Sequence, residues 1–123
     1  MGTVHGNSIY AIVGDNGTIL TSDTGSTWTS RADGRTDNLS EVTFGNNTFI
    51  AVGDNGTIRT SSDNGSTWDN RTSSTTNFYG VTFGKNTFIV VGDNGTIRTS
   101  SDNGTTWDNR TSGTTVNLRG VGF

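Results

Sequence analysis

Apolar residues fall in short runs along this chain, separated by clusters of Gly, Asn and Asp. The runs are rich in Val, Ile, Thr and Phe and too brief for helices. From residue 39 onward four of them follow one another: Leu39–Phe44, Thr48–Val52, Thr57–Ser61 and Thr67–Thr72. Asp54-Asn55-Gly56 joins the second to the third, and Asp63-Asn64-Gly65 joins the third to the fourth. Asn-Gly supplies the positive φ angles of a type I′ turn, so both joints are predicted to be antiparallel hairpins. The second run is apolar throughout rather than alternating: Phe49-Ile50-Ala51-Val52, with Tyr10-Ala11-Ile12-Val13 and Phe88-Ile89-Val90-Val91 as its counterparts. A strand of that kind needs a layer against each of its faces.

The runs recur. Val-Gly-Asp-Asn-Gly-Thr-Ile begins at Val13, Val52 and Val91, a period of 39 residues (52 − 13 and 91 − 52), and Trp28, Trp68 and Trp107 follow at intervals of 40 and 39. Four short strands per period of about 40 residues, each sheet greasy on both sides, describe a β-propeller of four-stranded antiparallel blades. A flat stack of three sheets would leave its end faces uncapped. The blades are expected at residues 39–77 and 78–117, with residues 1–38 forming a blade of strands two to four only. Residues 118–123, Leu118-Arg119-Gly120-Val121-Gly122-Phe123, match the first strand Phe78-Tyr79-Gly80-Val81-Thr82-Phe83. They are expected to act as a closing strand that supplies the first blade's missing innermost strand.

Three blades fall below the usual range of roughly four to eight. Two copies of the chain would supply six, so a homodimer closed head to tail is the expected assembly, each final strand completing the other copy.

Each third hairpin carries a further motif. It reads Ser61-x-Asp63-x-Gly65-x-Thr67-Trp68, then Ser100-x-Asp102-x-Gly104-x-Thr106-Trp107, with Thr21-x-Asp23-x-Gly25-x-Thr27-Trp28 as the first copy. The motif resembles the Asp-box, or BNR repeat, of sialidase-like propellers, and the flanking Gly-Thr-Ile-Arg-Thr-Ser text is similar to bacterial repeat propellers related to photosystem II assembly factors. The resemblance implies a box on the turn before the outermost strand, with a structural role. An Asp side chain can accept bonds from its own tight turn, Gly takes the left-handed position, and Trp covers the blade. Calcium is not expected, because one carboxylate per turn offers too few oxygen ligands. No cofactor is expected.

The resemblance also raises a glycoside hydrolase, which as the family implies would need three arginines, a Tyr–Glu pair and a further acid. Arg31, Arg71 and Arg110 instead repeat once per blade, as do Arg59 and Arg98, and read as blade parts. Glu41 is the single Glu, and Tyr10 and Tyr79 are the two tyrosines. Tyr10 occupies the slot of Phe49 and Phe88 and is expected to pack in the core, and His5 occupies that of Phe44 and Phe83 and is expected to have a buried or partly buried packing role. No active site is expected, and the chain is read as a non-enzymatic, self-assembling structural module.

The alternative is a propeller that binds a glycan or protein ligand. The copies differ most after each fourth strand and at the start of each first strand. Ser40, Glu41, Tyr79 and Arg119 are therefore the candidate binding residues on the channel and one face. Near-identity elsewhere points to recent amplification of one blade or to consensus design. With a net charge of −3 the chain lacks the basic footprint of a nucleic-acid binder. No apolar stretch approaches the roughly 20 residues of a membrane span and no cationic leader opens the chain, so a soluble protein without a membrane partner is expected, its compartment unassigned. There is no Cys.

Overall fold

The computed structural model describes residues 2–31, 34–72 and 74–123. Among them the strands form three four-stranded antiparallel sheets, each in simple chain order. The first sheet, blade 1, contains β1 (Gly2–Gly6), β2 (Ile9–Val13), β3 (Ile19–Ser22) and β4 (Thr29–Ser30). Blade 2 contains β5 (Leu39–Gly45), β6 (Thr48–Gly53), β7 (Ile58–Ser61) and β8 (Asp69–Asn70). Blade 3 contains β9 (Phe78–Gly84), β10 (Thr87–Gly92), β11 (Ile97–Ser100) and β12 (Asp108–Arg110). The described residues contain no α-helix, only short 3₁₀ turns. Ala32, Asp33 and Ser73, in the variable stretches after the fourth strands, lie outside the described residues.

The Asn-Gly turns form as their chemistry dictates. Asn55 and Gly56 both take positive φ, 56° and 70°, and the Thr57 amide donates to the Asp54 carbonyl at 3.1 Å to close the turn. The same geometry recurs at Asp15–Gly17 and Asp93–Gly95.

The first strands pack on one another, β1 on β5 and β5 on β9, and mark the propeller's inner side. Two apolar seams result. Ala11, Val13 and Ile19 of blade 1 meet Leu39, Val42, Phe49 and Ala51 of blade 2. On the other side of blade 2, Ile50, Val52 and Ile58 meet Phe78, Val81, Phe88 and Val90 of blade 3. Every residue of β6 is buried, because the middle blade alone has a sheet on each side. Glycine makes the inner joints close enough. A Cβ on Gly6 would lie 2.2 Å from the Phe44 ring, and one on Gly45 would lie 2.2 Å from the Phe83 ring.

Three expectations are corrected here. Blade 1 of the single chain has its own innermost strand: β1 pairs with β2 from Gly2↔Val13 to Gly6↔Ile9. It is five residues long where β5 and β9 have seven, and its pairing rests on backbone hydrogen bonds more than on apolar side chains. Residues 118–123 pair with no sheet and lie against blade 3 instead. Phe123 covers Gly84 at 2.2 Å from a Cβ built there, as Phe44 covers Gly6, and the Leu118 amide donates to the Gly92 carbonyl at 3.0 Å, as Leu39 does to Gly14. Finally, Tyr10 is not core and His5 is not buried. Tyr10 is 43% exposed whereas its counterpart Phe49 is 0% exposed, and His5 is exposed with its ring 4.4 Å from that of Tyr10. Both stand on the face of blade 1 that no neighbouring blade covers.

Candidate functional site

Two sets of residues recur around the propeller and bear on function: those at the start of each first strand, and the turns before each outermost strand.

Ser40 and Tyr79 are the extra residues of two β-bulges, where Leu39 pairs with Gly53 but Glu41 with Val52, and Phe78 with Gly92 but Gly80 with Val91. A bulge re-aims the side chain it carries. Arg119 holds the same slot in the C-terminal segment. The Arg119 guanidinium lies over the Tyr79 ring, 4.9 Å from its centre, a distance at which a cation is attracted to the π face. The hydroxyl of Tyr79 meets the Asp93 carboxylate, which raises its pKa above the ordinary phenol value, with Asn77 and Arg119 opposing. Glu41 is placed elsewhere, at the joint of blades 1 and 2. It lies against Gly2, where any side chain would strike its carboxylate, and it accepts from the Val42 amide at 3.1 Å. Of the four candidate residues the structure therefore brings Tyr79 and Arg119 together, with Asp93 as a third member. A ring, a guanidinium and a carboxylate can hold a polar ligand.

Sequence reasoning missed the asparagines ahead of the first strands. Asn38 Oδ1 accepts from the Asn16 amide of blade 1 at 2.9 Å, while its carbonyl accepts from the Asp54 amide of blade 2 at 2.9 Å. Asn77 does the same between Asn55 and Asp93, at 2.8 and 3.0 Å. Asn117 Oδ1 accepts from Asn94 at 3.0 Å. Asn38 and Asn77 each tie one blade's turn to the next, Asn117 ties that of blade 3 to the C-terminal segment, and the signal was present in their recurrence once per repeat.

The outer turns hold themselves. Asp63 Oδ1 accepts from the Thr67 amide at 2.9 Å and from the Ser61 hydroxyl at 2.8 Å, and Oδ2 accepts from the Thr67 hydroxyl at 2.5 Å. The Gly65 amide donates to Ser61 Oγ, and Trp68 Nε1 donates to the Gly65 carbonyl, both at 2.9 Å. Asp102, Gly104, Thr106 and Trp107 repeat the arrangement. The first copy departs from it. Ser22, not Thr21, stands level with Ser61 and Ser100, opposite Tyr10, Phe49 and Phe88 respectively. Its turn is thus one residue shorter, as the tryptophan interval of 40 records. Gly25 still donates to Ser22 Oγ at 2.7 Å, but Thr24 Oγ1 accepts from the Ser26 and Thr27 amides, at 3.1 and 3.4 Å, in place of a carboxylate. Asp23 is left exposed at the tip of the turn and Trp28 is 38% exposed.

Those bonds predict a pH dependence. Hydrogen bonds from Thr67 hold the Asp63 carboxyl below the usual carboxylate range, and those from Thr106 hold Asp102 down to about 2. A depressed folded-state value contributes stability that is complete above the unfolded value of 3.8 and is lost as pH falls through the folded one. Denaturant midpoints are therefore expected to drop between pH 4 and about 2, and a D63N/D102N double variant should show a flatter profile over that window.

The repeated arginines serve their own blades. Arg31 and Arg110 donate through Nε to Thr21 and Thr99 at 3.0 and 2.9 Å, Arg71 and Arg110 sit 3.7 and 3.8 Å from Asp69 and Asp108, and Arg98 lies over Phe78. The described residues contain no cluster of three metal-ligating side chains. No helix in them is long and apolar enough to cross a membrane.

The fold is that of a β-propeller fragment. The chain is similar to YCF48 from Cyanidioschyzon merolae, with a TM-score of 0.77 at 21% identity over 93% of this chain and 40% of that one. A structure of YCF48 bound to D1 peptide superposes with a TM-score of 0.69 at 19% identity, over 88% of this chain and 38% of the other. Two computationally designed proteins match with TM-scores of 0.77: Ika8, at 15% identity over all of this chain and 39% of that one, and Ika4, at 16% over 99% and 78%. This chain thus spans about two fifths of YCF48 and Ika8. No protein-family model matches the sequence, and no match was found among curated proteins.

Proposed function

We propose that the chain is a non-enzymatic, self-assembling propeller module of the Asp-box type, whose ring is completed by a second copy to give six blades. One observation carries the reading. The outer faces of blades 1 and 3 bear the same classes of residue that the two internal seams bury, and they are uncovered. Tyr10, Ile12 and Trp28 on blade 1 answer to Phe49, Ala51 and Trp68, while Ile89 and Ile97 on blade 3 answer to Ile50 and Ile58. Joining blade 3 of one copy to blade 1 of the next repeats a contact the chain makes twice already, and such a head-to-tail contact closes when the rotation allows. Residues 118–123 mark the place on blade 3 where the next first strand belongs. That slot takes one strand, so closure displaces either 118–123 or β1 of the incoming copy. Light scattering coupled to size-exclusion chromatography is expected to show two chain masses, near 26 kDa (2 × 13.0 kDa). A compact 13.0 kDa species at all concentrations would exclude the assembly.

A ligand-binding propeller is the second reading, favoured by the Tyr79–Arg119–Asp93 group at the bulged strand starts. YCF48, whose structure is known with D1 peptide, shows that a propeller of this fold can take a protein ligand. Binding of a glycan or an extended peptide that is lost in Y79A would replace the first reading with this one.

A further inference from the structure

Residues 118–123 occupy on blade 3 the place that each later first strand occupies on the blade before it. The Leu118 amide donates to the Gly92 carbonyl at 3.0 Å, as the Leu39 amide of β5 donates to Gly14 of blade 1 at 3.0 Å. Asn117 Oδ1 accepts from the Asn94 amide at 3.0 Å, as Asn38 Oδ1 accepts from Asn16 at 2.9 Å. Gly120 and Val121 back onto Gly80, as Glu41 and Val42 back onto Gly2. Phe123 lies over Gly84, as Phe44 lies over Gly6 and Phe83 over Gly45. β5 and β9 go on to pair with the second strands of their own blades, where Phe44 meets Phe49 and Phe83 meets Phe88 at ring separations of 4.7 and 4.6 Å. The segment 118–123 is docked in the same way, but it belongs to no sheet and Phe123 is 82% exposed.

We propose that this segment pairs with β2 of a second copy in place of that copy's own β1, a reciprocal exchange of innermost strands that closes the ring. The proposal rests on the assembly reading above and deepens it by naming the strand that yields. What each strand carries decides between them. In register, Val121 and Phe123 correspond to Val42 and Phe44, which face the preceding blade, whereas β1 has Thr3 and His5 at those places. Expelling 118–123 would give up every contact just described in order to seat a threonine and a histidine against blade 3. Expelling β1 keeps those contacts and exchanges one antiparallel ladder on β2 for another. The exchange loses Val4, which packs partly buried on the seam between blades 1 and 2 and has Gly122 as its counterpart. Against that, Phe123 comes to lie beside Tyr10 of the incoming copy, which restores the cross-strand aromatic pair of the other two blades. The Asn117 carbonyl would also receive the Asp15 amide of that copy, as the Asn38 and Asn77 carbonyls receive those of Asp54 and Asp93.

The chain has no cysteine, so single introduced cysteines report the pairing directly. Val42 pairs with Ala51, so Val121 should stand opposite Ile12 of the second copy. Full-length I12C and V121C chains are mixed, oxidised mildly and separated without reductant. A disulfide between unlike chains is expected in preference to either like pair, because strand partners lie within the reach of that bond. Light scattering on the reduced mixture reports assembly separately. A reduced mixture that dimerises but forms no preferred mixed bond would overturn the exchange and leave the assembly standing. Phe123→Ala gives a second measure, since the side chain is exposed in the single chain and its loss should leave the subunit folded. It is expected to weaken association roughly two- to tenfold, the worth of one aromatic pair. Equal or tighter association of F123A would mean that 118–123 is expelled instead, which overturns the exchange. A wild type that stays monomeric would overturn both the exchange and the assembly.

Discussion

Phe49→Ala is expected to cost about 3–5 kcal/mol of folding stability, the usual loss for a deleted aromatic side chain in a sealed core. Tyr10→Ala, at the same place one blade earlier, should cost the isolated subunit about 1 kcal/mol or less. The two positions are related by the repeat: each faces a strand of the outer hairpin, Tyr10 opposite Ser22 and Phe49 opposite Ser61. They differ in that Phe49 lies in the blade 1–blade 2 seam and packs against Phe44 and Trp68, with ring centres 4.7 and 6.2 Å away. Tyr10 has only His5 and Trp28 on an open face. Assembly reverses the comparison for association. If blade 3 of another copy covers Tyr10, its truncation should weaken dimerisation by about 2 kcal/mol or more at each joint, as for a buried aromatic anchor. The melting temperature of wild type should then rise with protein concentration, and that of the Tyr10 variant should not. Denaturation across a hundredfold range of concentration checks both parts. Equal losses for the two variants at the lowest concentration would mean that the face of blade 1 is covered within the single chain.

What was legible follows from which interactions are local. The type I′ turns at Asp54–Gly56 and their repeats depend on the φ angles of two residues, so Asn-Gly announces them wherever it stands. The two-sided burial of β6 could be read from Phe49-Ile50-Ala51-Val52, whose residues are apolar without alternation. The misses are of another kind. Thr3, Val4 and His5 gave β1 little β-type apolar signal, and its pairing is imposed by the free edge of β2. The shortened first turn kept its Asp-x-Gly-x-Thr-Trp text. The displacement becomes visible only when Ser22 is placed opposite Tyr10. The Asn38, Asn77 and Asn117 side chains bond residues 22 or 23 positions away, a separation that no local rule links. Tyr10 and His5 were misplaced because repeat equivalence says which slot a residue occupies and not whether the neighbouring blade is present.

Those ties locate the second large effect, at Gly53. Gly53→Ala is expected to destabilise the chain by about 3 kcal/mol or more, the upper range for inserting an atom into a packed interior that cannot give way. A Cβ there would stand 1.9 Å from the Asn38 carbonyl oxygen and 2.8 Å from the Leu39 Cα, so the obstacle is backbone and not a side chain that could swing aside. The Asn38 carbonyl is the atom that accepts the Asp54 amide, and Leu39 is buried in the seam between blades 1 and 2. Moving that segment outward would break the tie and open the seam together. The φ of Gly53 is −171°, which alanine adopts without strain, so the loss is steric and not conformational. Gly120→Ala gives the contrast, since nothing lies within 4 Å of a Cβ at that position. Urea denaturation of the two variants in parallel should show a large fall in midpoint for Gly53→Ala and none for Gly120→Ala in the dissociated subunit. A Gly53→Ala chain as stable as wild type would mean that the link between Asn38 and blade 2 is slack, and the rigid spacing of successive blades would then need another cause.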